Sequence, residues 1–218
     1  MLKVGTLSGS GVIQADGGYN GGNSSGGGGR VAVRLTKSGA TFDDFTGRIV
    51  ASGRYSQDAA YASHSSSAGS VYLETAADGE KGGVIRIAQG LNYAQNVLNT
   101  STTELVSLGY GGDDVADYKK VKVEVRDYGF VAVNADVTVK SVTLATADAK
   151  LDLEGNTLTA DKFEYFANDA INNLAAGEYS FAQLSAIEGL NIVDTSAGQS
   201  GKIIVKERVL RGLKLILR

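Results

Sequence analysis

The chain contains no proline, no cysteine and no tryptophan, and its only histidine is His64. Each absence closes off a class of explanation. Without cysteine there is no disulfide framework and no thiolate metal site. With one histidine, zinc has only a mixed carboxylate site open to it. A Ser-His-Asp triad would have to be built around His64, which sits in the serine-rich run Tyr61-Ala62-Ser63-His64-Ser65-Ser66-Ser67; the plainer reading is a solvent-facing loop histidine. No apolar run is long enough to span a membrane as a helix. Residues 1–10 lack the apolar stretch of a signal peptide. Nor is there an excess of positive charge: the formal net charge is -3, without the basic face that nucleic acid requires. Missing cysteine fits a bacterial surface protein and many cytosolic proteins alike.

What is abundant is glycine, 29 residues in 218, against an average usage of about 7%. Together with 43% hydrophobic residues this describes a core-forming chain with many tight turns. The absence of proline leaves every interior residue able to donate to a β-ladder. The length allows one large β domain or two small ones.

Period-two alternation is the dominant signal. In Lys120-Val121-Lys122-Val123-Glu124-Val125-Arg126 the valines face one way and the charges the other. Leu151-Asp152-Leu153-Glu154 and Leu213 to Arg218 read the same way, and Val84 to Ile87 and Ile203 to Val205 are shorter apolar strands. Two repeats overlie this pattern. Gly11 to Tyr19 matches Gly47 to Tyr55 at a shift of 36, and Arg30 matches Ser70 at a shift of 40. In the C-terminal half the shift is 21: Val137 meets Leu158, Val139 meets Ala160, Val142 meets Phe163 and Leu144 meets Tyr165. A period in the low twenties is about one coil of a parallel β-helix, and the longer N-terminal shift reads as a coil with an inserted loop. Ser180 caps one or two helical turns over 180–187, and Phe166 to Leu174 reads as a helical turn. A β-sandwich is the alternative architecture.

Two stretches carry a family resemblance. The first is Gly11 to Leu35, a Gly-x-Ile-x-Ala-x-Gly-Gly element, a glycine tract and the strand Arg30-Val31-Ala32-Val33. The second comprises Leu151 to Thr159, Leu174 to Leu184, and Gly201 to Val205. Together they cover a third to a half of the chain, and they resemble repeats and closing segments of large secreted β-helical proteins of planctomycete, verrucomicrobial and lentisphaeral bacteria. Those proteins are related to autotransporter-associated β-strand repeat proteins. The resemblance implies a right-handed β-helix at the cell surface or outside the cell, and no catalytic residues. The end of the chain, Lys206 to Arg218, is basic and apolar and departs from the family's usual sorting tail. Because the repeat is already running at the N-terminus, a piece of a longer surface protein is expected.

Candidate sites are few. The tract Gly17 to Gly29 lacks the Gly-Lys-Ser/Thr ending of a phosphate loop, and Arg30 opens a strand. The tract reads instead as a glycine-lined turn that allows close backbone approach. Asp113, Asp114 and Asp117 form an acidic cluster beside two glycines, the one candidate calcium site, set against a solvated turn. Asp152 and Glu154, two apart on a strand, would present carboxylates about 7 Å apart on an outward face, as an inverting glycosidase needs. Tyr19, Tyr55 and Tyr61 are candidate ligand-surface residues, with Tyr72, Tyr110 and Tyr118 also in or beside loops.

The sequence therefore predicts an all-β, right-handed parallel β-helix with glycine-rich loops, one domain over residues 1–218. The expected role is a non-catalytic structural or adhesive module, with a surface glycan or protein as partner and self-association through uncovered end strands. No catalytic or cofactor-binding residue is assigned. A glycan-binding or polysaccharide-degrading β-helix protein is the alternative.

Overall fold

The computed structural model describes residues 1–18, 26–54, 66–89, 101–105 and 118–207. They form an all-β fold of several sheets in which strands from successive passes of the chain stack on one another, a solenoid-like arrangement.

The N-terminal passes use β1 (Leu2–Val4), β2 (Val12–Gln14), β3 (Arg30–Leu35), β4 (Arg48–Val50) and β5 (Ser70–Glu74). Val12 lies beside Arg48, 36 residues on, and Arg30 beside Ser70, 40 residues on, both in parallel pairs. The two shifts read in the sequence are thus strand registers. The glycine tract serves close approach: a Cβ at Gly28 would lie 2.2 Å from the carbonyl oxygen of Ala51. Arg30 opens a strand, as the sequence predicts.

The chain then turns back into β6 (Val84–Ala88), which pairs antiparallel with β5. Next come β7 (Thr103–Glu104), β8 (Lys122–Arg126), β9 (Phe130–Ala132), β10 (Val137–Val139), β11 (Ser141–Leu144), β12 (Lys150–Asp152), β13 (Thr157–Ala160) and β14 (Phe163–Ala167). From β8 to β14 the strands visit three sheets in strict rotation. Each sheet therefore stacks a column of inward side chains. Val123, Val142 and Phe163 form one; Val131 and Leu151 a second; Val137 and Leu158 a third. All are buried, each contributing about 1.5–3 kcal/mol of hydrophobic stabilisation. The 21-residue repeat matches the observed register pair by pair: Val137 with Leu158, Val139 with Ala160, Val142 with Phe163 and Leu144 with Tyr165.

The last elements close the stack: β15 (Ala170–Leu174), β16 (Gly177–Ser180), the one-turn helix α1 (Phe181–Leu184), β17 (Ile192–Val193) and β18 (Lys202–Val205). β17 and β18 extend the second and third columns with Ile192 and Ile203. β15 and β16 run antiparallel to β14 and β18. Ser180 caps α1 as expected: its hydroxyl oxygen accepts the Gln183 N–H, and Leu184 is fully buried. The helical turn expected over Phe166 to Leu174 is absent. Asn168 and Asp169 both adopt positive φ, 53° and 59°, and join β14 to β15 as a tight hairpin. Asn and Asp tolerate that backbone, so the turn chemistry outweighed the helical reading.

The largest sheet runs β1-β3-β5-β6-β8-β11-β14-β15. Its buried face changes at the β5–β6 boundary. Residues opposite each other in a sheet share a face. Tyr72 pairs with Ile85, both members of the main apolar cluster. Val71 pairs with Arg86, and Val71 belongs with Val33 and Leu35, which are buried but lie outside that cluster. The N-terminal passes therefore pack on one face of the sheet and the C-terminal passes on the other. β5 serves both, which explains why Val71, Tyr72 and Glu74 are all buried. Among the described residues no helix is long and apolar enough to cross a membrane.

Candidate functional site

Because the buried face changes, part of the large sheet is left uncovered where the N-terminal passes stop. A cleft of about 240 Å³ opens there. One wall is formed by Gly47 to Ser52, the stretch that includes β4. The floor is the face of β5, β6 and β8 that carries Val71, Arg86, Ala88 and Arg126, and Asp127 closes one side.

Charges line this floor because strand alternation puts Arg86, Glu124 and Arg126 opposite the buried Ile85, Ile87, Val123 and Val125. Arg86 donates from Nε and Nη2 to Glu124 Oε2 at 3.3 and 3.2 Å. Arg126 donates from Nη1 to Glu124 Oε1 at 3.2 Å and from Nε to Asp127 Oδ2 at 2.9 Å. Burial works against the Arg126 charge, but Asp127 and Glu124 outweigh it and hold the guanidinium above its ordinary pKa. The exposed Arg48 adds a third cation at the rim. Three cations against two carboxylates leave the cleft an excess of one positive charge.

A second hollow, of about 340 Å³, lies where Arg30, Ser70, Thr103 and Glu104 approach. It is lined mainly by small residues and backbone. Ser70 Oγ is fully enclosed beside it with no hydrogen-bond partner among the described residues.

Four aspartates elsewhere, Asp16, Asp136, Asp152 and Asp194, are corner fittings. Asp152 does not face outward: it is 2% exposed, and its Oδ1 accepts the N–H groups of Glu154 at 3.0 Å and Thr195 at 3.1 Å. Glu154 is not on the strand but in the turn after it, with φ 46°. Burial, then Asp152 and Glu104, push the Glu154 carboxyl above its ordinary value. The expected outward carboxylate pair on one strand therefore does not exist. The alternation was read as wet and dry faces, but the chain turns at Leu153, and the corner draws Asp152 into backbone hydrogen bonds. Asp194 Oδ1 accepts the Gly155 N–H at 2.9 Å, the Ser196 N–H at 3.0 Å and the Ser196 hydroxyl at 2.6 Å, and Oδ2 accepts the Gly201 N–H at 2.7 Å. Asp136 accepts the Thr157 N–H, and Asp16 the Ser52 N–H, each one pass away.

Tyr72, expected in or beside a loop, lies on β5 and is 7% exposed; its hydroxyl donates to Glu74 Oε2 and accepts the Gly83 N–H at 3.2 Å. Tyr118 is also buried, at 5% exposure, so neither is a stacking platform for sugar. Asp113, Asp114, Asp117, Tyr19, Tyr55, Tyr61, Tyr110 and His64 lie outside the described residues. Among the described residues no three acidic or histidine side chains gather as a metal site would require. The arginine cleft was missed in the sequence because it depends on which face of the sheet is covered, and only the alternation around Arg86 and Glu124 hinted at it. No protein-family model, curated protein or solved structure matches this chain.

Proposed function

We propose that the chain is a non-catalytic structural or adhesive module of a bacterial surface protein, built as a right-handed parallel β-helix. The observation that carries this reading is the use of the acids. Asp16, Asp136, Asp152 and Asp194 each accept backbone N–H groups from another pass of the chain, and so act as scaffold. The stacked apolar columns support the same reading, since each pass gives the next an apolar surface to build on. Strand direction and buried face both invert between β5 and β6, and two inversions together are consistent with one winding sense. A rod of this kind presents its loops at fixed intervals, which suits many shallow contacts to a surface glycan or protein.

The test is affinity electrophoresis through gels containing soluble polysaccharides, with and without calcium, followed by assay of each polymer's chain length. The expected result is unchanged polymer length in every gel. Shortening of any one polymer would make the chain a polysaccharide-degrading β-helix protein and overturn the proposal.

A further inference from the structure

The two-stranded sheet stops at β4 while the large sheet beneath it runs on. β2 pairs with one edge of β4, and among the described residues no strand pairs with the other. Arg48 N–H donates to Gly11, and the carbonyls of Val50 and Ser52 accept from Ala15 and Gly17. Even-numbered residues of this stretch thus face the first pass. By alternation the N–H and C=O of Ile49 and the N–H of Ala51 point from the opposite edge. That edge borders the cleft.

β4 packs over β5. A further strand beside β4, about 4.8 Å away, would lie over β6, on Arg86 and Ala88. The floor is already shaped for it. Arg126 stands opposite Ala88, so it is one strand over and two residues along from Arg86. That diagonal separation is about 7–8 Å. Side chains at alternate positions of an extended strand are about 7 Å apart on one face. Each guanidinium carries five N–H donors. Arg86 commits Nε and Nη2, and Arg126 commits Nε and Nη1. Among the described residues, Nη1 of Arg86 and Nη2 of Arg126 take no further partner.

We propose that the cleft takes an extended acidic peptide segment, which adds to the free edge of β4 as a third strand and sets carboxylates at alternate positions on Arg86 and Arg126. The main-chain bonds to Ile49 and Ala51 supply register, and the arginine spacing selects acids two residues apart. This goes beyond the structural role proposed above and fails or stands separately from it, because peptide binding and polysaccharide cleavage are read in different assays. An acidic polysaccharide would meet the same arginines without needing the β4 amides.

The experiment is fluorescence anisotropy with the labelled peptide Ac-Thr-Glu-Val-Glu-Val-Glu-Thr-NH2, a lysine-for-glutamate counterpart, and two versions N-methylated at alternate residues in opposite frames. Polygalacturonate serves as the glycan probe. The acidic peptide is expected to bind and the lysine peptide not. N-methylation in the frame facing β4 should abolish binding while the other frame leaves it intact. Arg86→Gln, checked for native circular dichroism, should weaken binding about tenfold. Absence of binding, equal binding of the lysine peptide, or indifference to the N-methylation frame would each overturn the proposal. Indifference combined with Arg86-dependent binding of polygalacturonate would assign the cleft to an anionic glycan instead.

Discussion

Gln89 Oε1 accepts the N–H of Gly53 at 2.7 Å, and its Nε2 donates to the carbonyl of Ser66. In the preceding pass the equivalent N–H, that of Gly17, donates to the Ser52 carbonyl one pass on. Among the described residues no such carbonyl meets Gly53, and the Gln89 side chain, just beyond β6, supplies the acceptor. Gln89 is 4% exposed, so the amide it satisfies has little access to water.

Gln89→Leu keeps the apolar bulk and removes both partners. Leaving a buried donor unmet costs about 1–3 kcal/mol. The loss should fall on the N-terminal passes: hydrogen exchange at residues 48–53 should accelerate, with β8 and β11 unchanged. Gln89→Glu keeps the acceptor for Gly53 but turns a carboxylate oxygen on the Ser66 carbonyl, and should also lower the thermal midpoint. Wild-type exchange at residues 48–53 in both variants would show that Gln89 does not close the stack.

Phe163 and Lys140 mark opposite extremes of the 21-residue repeat. Phe163 is fully buried in the column above Val142. Lys140 Nζ pairs with Asp161 Oδ2 at 2.8 Å, but the two side chains are 54% and 36% exposed. Phe163→Ala should cost about 3–5 kcal/mol through lost burial and a residual cavity. Lys140→Ala should cost less than about 1 kcal/mol, since exposed ion pairs gain little over water. Urea denaturation of both variants checks the ordering, and comparable losses would contradict the view that the columns, and not the surface charge ladder, hold the coils together.

The columns were legible in the sequence because an inward face must be apolar at every pass, which makes the register visible as a repeat. Val137 over Leu158 and Val142 over Phe163 follow from that alone. The 36-residue shift was legible for the same reason, carried by Ile13 and Ile49. What depends on a change of direction was not. Nothing in Ser70-Val71-Tyr72-Leu73-Glu74 says that Val71 and Tyr72 belong to cores on opposite sides of one sheet. The cleft over Arg86 is a consequence of that exchange and was invisible with it. Asp152 misled because a corner aspartate and a wet-face aspartate have the same neighbours in sequence and differ only in whether a second pass brings an N–H to them.

Glycine in the N-terminal passes is set by space at some positions and not at others. A Cβ at Gly28 would meet the Ala51 carbonyl oxygen at 2.2 Å and the Gly69 nitrogen at 2.3 Å, both backbone atoms. One at Gly11 would meet nothing within 4 Å. Gly28→Ala should therefore destabilise by about 1–3 kcal/mol, the usual cost of forcing extra atoms into packed structure. Gly11→Ala should be neutral, or slightly stabilising through a less flexible unfolded chain. Differential scanning fluorimetry separates them, and equal midpoints would mean that the tract relaxes freely around an added methyl group.

Asp194 ties its own loop to the turn at Gly155 through four hydrogen bonds, and this makes stability depend on acid. Burial raises its pKa, but donation from Ser196, Gly201 and Gly155 outweighs burial and leaves the carboxyl below its ordinary value. The unfolded carboxyl titrates near about 3.9. A depressed folded pKa means that the unfolded chain takes up the proton first as pH falls. The stabilisation is then complete above the unfolded value and disappears as pH drops through the lower folded one. Asp194→Asn turns an amide NH2 toward at least one backbone donor, and should cost about 1–3 kcal/mol at neutral pH. As pH falls below the unfolded value and on through the lower folded one, the variant and the wild type should converge, because protonation then removes the same acceptor. Urea midpoints taken across this range test the assignment. A difference between the two proteins that stays constant down to pH 2 would show that the loss is one of shape and not of charge.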